Sequence, residues 1–351
     1  MNSIKALLIV LTIPLSVHGI SERAYKRKMA IREHIMKNGI KHSKSSPAHN
    51  DEVEDLFPEL KIEKNIKALP QLGQVKTRPW SDDYWPIYKG VLGARYAISE
   101  FNELYGHQEA YSFIKNNPVK TSMSDEQRNN LSPSEKFDLL IESNPQKLTL
   151  TKAMWSQGER YLLEYGKIEQ WMGICHGWAP ASFLVSRPKS AIVVKDASNR
   201  DLKFYPSDIK ALTSLLWAEG QFKNHFIGGR CNINSPSSDE NGRVQDRDCR
   251  DNNPATFHLA MTNAIGVYKK SFIMDATYDY EVWNQPINSY AINYVNPISD
   301  ENVDSIEEAI IKKEDFKLDP YHEFRSKNTE YIIGIHLQVD YIVESNPTHR
   351  L

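Results

Sequence analysis

The sequence predicts an α+β protein, with helices filling its first half and an antiparallel sheet its second. Two observations carry this. Helix-start signals and helical apolar spacing cluster ahead of residue 185, whereas β-branched runs with a period of two gather after residue 190. The two kinds of segment are sorted along the chain rather than alternating, which argues against a parallel α/β sheet.

The elements follow in order. Lys5 precedes the apolar run Ala6–Val17, and Val17-His18-Gly19 places small residues at a cleavage position, so residues 1–19 read as a secretory signal peptide. Export to a periplasm, wall or medium follows, and no later segment is long and apolar enough to predict a membrane-spanning helix. Residues 20–75 are polar and charged, and predict a flexible N-terminal extension or removable pro-segment. Its short apolar piece VEDLFPEL is suited to docking on the folded part. Residues 76–351 form the predicted globular domain, opening with the aromatic stretch RPWSDDYWPIYKG (Arg78–Gly90) as an extended segment pinned across the core.

Leu92, Tyr96, Ile98 and Phe101 fall at helical spacing. Ser132, Pro133 and Glu135 supply an N-cap, a first-position proline and a capping-box acid for the next helix. LTKAMWSQGERYLLEYG predicts a third helix and SDIKALTSLLWAEG a later one. SAIVVKDA, DLKFYP, KKSFIMDAT and EYIIGIHLQVDYIV read as strands.

Composition excludes one class of function. The 43 basic and 45 acidic residues nearly cancel, so no basic field exists to hold a nucleic-acid backbone. The chain has three cysteines. Cys231 and Cys249 flank a polar, glycine-containing loop and look like a staple; closing a loop of that size stabilises by about 3 kcal/mol. Cys175, in GICHGWAP, is then left as a small core residue, a metal ligand or a nucleophile. No second close Cys/His pair gives a zinc spacing. Pro180 fits a first helical turn, so a helix is expected to begin just after Cys175, with the thiol at the positive end of its dipole.

A thiol nucleophile needs an imidazole and a group to orient it. His176 is adjacent, yet successive helical side chains diverge, so it is not a natural base. TFHLAMTNAIGVYKKSFIMDAT reads as a hairpin turning at Gly266-Val267, and that register sets His258 directly opposite Asp275. Asp279 is the fallback acid. Trp178 is suited to wall the site from water or simply to pack the helix, and Trp283 and Asn284 sit in a predicted surface loop. Asp239, Glu240, Asp246, Asp248 and Asp251 offer oxygens to calcium, or form a solvated acidic loop in no EF-hand order.

RPWSDDYWPIYKG, GICHGWAPAS, CRDNNPATFHLAMTNAIG and SFIMDATYDYEVWNQPI resemble the blocks of the oomycete cell-wall transglutaminase elicitors and their bacterial relatives, from about Arg78 to about Tyr290. VWNQP (Val282–Pro286) is similar to the core of the peptide by which plants perceive those proteins. The resemblance implies a protein-glutamine γ-glutamyltransferase with a papain-like Cys-His-Asp core. It assigns Cys175 as nucleophile, His258 as base and Asp275 as orienting acid, with Trp283 and Asn284 as substrate-channel candidates; Trp178 joins them as a substrate-binding candidate by its place one turn from Cys175. The substrates it implies are glutamine- and lysine-bearing proteins or polyamines. Calcium is the cofactor it suggests, from the oomycete branch. The C-terminus after HLQVDYIVESNPTHRL is shorter than the resemblance leads one to expect. A thiol hydrolase of the same architecture, and a non-enzymatic secreted elicitor, are the rival readings.

Overall fold

The computed structural model describes residues 3–7, 52–238, 244–277, 279–317, 319, 322, 325 and 327–349. They fall into two compact units, a sheet unit (3–7, 52–78 and 223–342) and a helical unit (79–222 and 343–349). Residues 79–222 are thus inserted in the chain of the sheet unit, and 343–349 follow its last residue.

Among the described residues there are eight strands: β1 (Ser3–Leu7), β2 (Leu72–Gln74), β3 (Ile192–Lys195), β4 (Asp201–Phe204), β5 (Ile273–Asp275), β6 (Asn284–Val295), β7 (Ile310–Lys312) and β8 (Tyr331–Tyr341). In the sheet unit the order is β1-β8-β6-β2, with β5 also on β6 and β7 also on β8, and every pairing is antiparallel. The long pair β6–β8 makes the core. Tyr290, Ile292 and Tyr294 alternate inward to meet Ile335, Leu337 and Val339. Ile287 is three residues before Tyr290 and still faces that core, because a bulge between Ile287 and Ser289 inserts one residue.

The mixed helix and antiparallel sheet agree with the class read from sequence. The segment 52–75 does not behave as a flexible extension. A short helix, Val53–Leu56, buries Val53, and β2 pairs with β6 through Leu72–Ala291, Gly73–Tyr290 and Gln74–Ser289. A three-residue strand leaves little periodicity to read, which is why composition alone suggested an extension. The docking expected of VEDLFPEL is present, with Val53 and Phe57 against Ala260 and Ala264. Most of the expected signal peptide, and residues 20–51, lie outside the described residues.

In the helical unit the capping box at Ser132 forms as expected, Ser132 Oγ accepting from Glu135 N and Glu135 Oε2 from Ser132 N. Helix Pro133–Ile141 follows, then helix Thr149–Tyr165, which ends at Gly166 in the left-handed region (φ 74°). The helix expected through Leu92–Phe101 is instead a 3₁₀ turn, Val91–Gly93, and a four-residue helix, Ser99–Asn102. The backbone extends at Ala94, and the next residue, Arg95, makes a buried bidentate bond to Glu135. A second buried pair, Lys136 Nζ on Asp208 Oδ2 at 2.6 Å, is completed by the hydroxyl of Tyr96 and the amide of Tyr205. Helix Pro206–Glu219 and the hairpin β3–β4 agree with the sequence reading.

Candidate active site

Cys175 is the first residue of helix Cys175–Leu184, with Ile174 as its N-cap. The thiol is buried and outside the one disulfide, Cys231–Cys249, whose pairing agrees with the sequence reading. Pro180 lies inside the helix rather than in its first turn, so the expected start is displaced only to Cys175 itself. Ile174 N donates to the Tyr84 carbonyl at 2.7 Å, which fixes the approach to the helix. The helix then lies flush on helix Pro206–Glu219, because Gly177 has no side chain where a Cβ would come 2.2 Å from the Ser214 carbonyl.

The extended segment expected at Arg78–Gly90 straps this helix. Trp80 N donates to the Ser182 carbonyl (3.1 Å) and Trp80 Nε1 to the Val185 carbonyl (2.9 Å). Trp178 is fully enclosed, its Nε1 donating to the Trp80 carbonyl at 3.2 Å, so the packing role weighed for it is the one its surroundings describe. His176 is exposed.

His258 sits in helix Pro254–Ala260, which continues as a π-helix over Met261–Val267. This overturns the hairpin read for residues 256–277, and with it the cross-strand pairing of His258 and Asp275. The helix is buried nearly all round from His258 to Gly266, so its apolar residues show no stripe, and a chance period of two resembled a strand. Asn253 and Pro254 were the available signal: Asn253 Oδ1 accepts from Ala255 N at 2.9 Å, and Pro254 takes the first helical position. Gly266 is not a turn residue. A Cβ there would lie 2.3 Å from Tyr290 Oη and 2.7 Å from Pro70 Cγ.

The His258 ring is buried and its Nε2 has no hydrogen-bond partner. Burial pushes its pKa down to about 4, so the imidazole is neutral at neutral pH. Asp275 ends β5 and pairs with Asn284 of β6. Its Oδ1 accepts from Thr277 N (3.2 Å), Thr277 Oγ1 (2.8 Å) and Trp283 N (3.0 Å), so it ties Thr277 to Trp283 of VWNQP across the loop. His258 and Asp275 are therefore not hydrogen-bonded to each other. Asp279 Oδ1 accepts from Glu281 N within the same loop, and Trp283 Nε1 donates to Glu281 Oε2 at 3.0 Å. Asn284 opens β6.

Among the described residues no three carboxylate, histidine or cysteine groups gather into a metal site, and Asp246 Oδ1 instead caps the Asp248 amide at 2.9 Å. Asp239 and Glu240 lie outside the described residues.

A thiol that opens a helix, backed by a glycine contact and strapped by an aromatic segment, accounts for the sequence blocks around it. The pattern of the family described as "Transglutaminase elicitor" matches residues 51–348. The chain belongs to the transglutaminase elicitor family. Among solved structures, the chain is similar to the GP42 transglutaminase from Phytophthora sojae, with 19% identity and a TM-score of 0.49 over 84% of this chain and 74% of that one. No protein of curated function matches it. The elicitor family match begins at residue 51, two residues before helix Val53–Leu56. The sequence reading passed over Asn263, a fully buried amide inside an apolar run; that mismatch was the signal available.

Proposed function

We propose that this protein is a protein-glutamine γ-glutamyltransferase working through a Cys175 thioester. The observation that carries the reading is Cys175 itself, a buried thiol at the first position of a ten-residue helix, left over when the other cysteines pair. Membership of the transglutaminase elicitor family supports it.

Cys175 gives its proton to the neutral imidazole of His258 as its sulfur attacks the side-chain carboxamide carbon of a peptidyl glutamine. The helix N-terminus favours the oxyanion that forms. The imidazolium returns the proton to the departing nitrogen, the C–N bond breaks, and ammonia leaves a thioester. A lysine or polyamine amine then attacks the thioester carbonyl, losing a proton to His258. The C–S bond breaks, an isopeptide bond remains, and the thiol is restored. His258 must carry a charge transiently in a buried place, and an anionic Asp275 turned toward it by Oδ2 would stabilise that state. Trp283, at the end of the loop that Asp275 ties, and Asn284, the first residue of β6, are proposed to touch the substrate chain. Export and action on extracellular proteins complete the proposal.

The test supplies a fluorescent primary amine with a glutamine-bearing donor protein to the wild type and Cys175→Ala. Covalent amine incorporation and stoichiometric ammonia, both lost in Cys175→Ala, are expected. Ammonia without incorporation would make the protein a deamidase. Neither product from the wild type, with or without calcium, would favour an elicitor that acts by recognition alone.

A further inference from the structure

Seven α-helical residues followed by seven π-helical ones make a weak platform for a base. Short helices are marginal alone, and π hydrogen bonding is poorer than α. The position of His258 therefore depends on what packs beside that helix. The chain between Val53 and Lys76 runs along it and is tied to it repeatedly. Val53 and Phe57 pack on Ala260 and Ala264, and the Phe57 ring meets Phe272 edge-on at 5.5 Å. Tyr268 Oη donates to the Lys61 carbonyl at 2.8 Å, and Lys76 N to the Lys269 carbonyl at 3.1 Å. Pro70 closes on Gly266, and its carbonyl accepts from Tyr290 Oη at 2.6 Å.

One tie differs in kind. Asn263 is fully buried, and its amide reads both backbone groups of Glu63, as a neighbouring strand would. Glu63 N donates to Asn263 Oδ1 at 2.8 Å, and Asn263 Nδ2 donates to the Glu63 carbonyl at 3.0 Å. The same Nδ2 donates back to the Leu259 carbonyl at 2.9 Å, next to His258 in the chain. Removing this side chain takes away the side-chain partner of both Glu63 backbone groups and leaves the Leu259 carbonyl with the weaker bond from Thr262 Oγ1 at 3.4 Å.

We propose that residues 53–76 are a permanent brace on the helix of His258, and that Asn263 is the positioning residue that locks it. The part that concerns catalysis rests on His258 being the base. The brace also bounds maturation, because a cut beyond Val53 would remove part of it. Any removable pro-segment therefore ends before Val53.

The full chain is compared with Asn263→Ala and, should that variant fold poorly, with the milder Phe57→Leu. Hydrogen exchange read by mass spectrometry should rise over residues 255–268 and stay unchanged over 175–184. Unchanged exchange over 255–268 overturns the brace. Measured well below the melting temperature, kcat for amine incorporation should fall by roughly ten- to a hundredfold with KM within about twofold, as expected when a reacting group is displaced by about 1 Å. A kcat equal to that of the wild type reduces Asn263 to a structural role and overturns its positioning one. If even the wild type incorporates no amine, the transferase reading fails, and the exchange result still decides the brace. An N-terminus beyond Val53 in the mature protein, read by intact mass, also overturns the brace.

Discussion

Gly177 lies so close to Ser214 that a Cβ on it would come 2.2 Å from the Ser214 carbonyl oxygen. That oxygen is backbone within a helix and cannot swing aside, so the two helices must separate to admit even a methyl group. Gly177→Ala should destabilise the protein by about 1–3 kcal/mol, seen as a lower urea midpoint. Because Cys175 is two residues away on the same helix, iodoacetamide should also reach it faster. A variant with wild-type midpoint and alkylation rate would show that the helix contact is not constrained.

The buried histidine predicts an acid weakness. The folded pKa of His258 is about 4 against an ordinary value near 6.5, so between those values the unfolded chain binds more protons. Stability is therefore complete above about pH 6.5 and falls as pH drops toward 4, by about 3 kcal/mol for this one group. His258→Gln should flatten part of that slope in urea titrations run from pH 7 to pH 4. An unchanged slope would place the acid sensitivity elsewhere.

His349 shares the direction. Its ring stacks on Tyr205 at 3.7 Å and meets Tyr96 edge-on, and burial together with nearby Lys136 and Lys203 lowers its pKa to about 4. Thr348 and Ser207 exchange two hydrogen bonds beside it. Acidification to pH 4 should release this tail, and carboxypeptidase should trim it much faster there than at pH 7. Equal trimming at both values would contradict the release.

Lys136 and Asp208 are both buried, and removing one charge strands the other. Lys136→Met should cost about 3–5 kcal/mol, and the double variant Lys136→Met/Asp208→Asn should recover part of that loss. A double-mutant cycle by thermal unfolding measures the coupling, and additive losses would show that the ions do not depend on each other.

The disulfide Cys231–Cys249 should stabilise by roughly 2–4 kcal/mol. The paired Cys→Ser variant should melt lower and still incorporate amine at low temperature if Cys175 is the only thiol the reaction uses. Loss of all incorporation in a folded variant would instead tie the staple to the chemistry.

Much of this molecule could be read from local signals. A capping box is written in three or four adjacent residues, so Ser132, Pro133 and Glu135 announce their helix without help. Strand β8 shows its alternation because one face meets the core and the other does not. The cysteine pairing and the odd thiol Cys175 follow from counting and spacing. The helix of His258 could not be read in that way. It is enclosed on nearly every side, so its sequence carries no stripe, and only the tertiary surroundings choose helix over strand. The same holds for the brace, where a three-residue strand and one buried asparagine act through partners some 200 positions distant in the chain. Sequence alone named the thiol and its surroundings. Which element carries the histidine, and what holds that element still, was decided by packing, because a buried helix takes its pattern from its neighbours rather than from water.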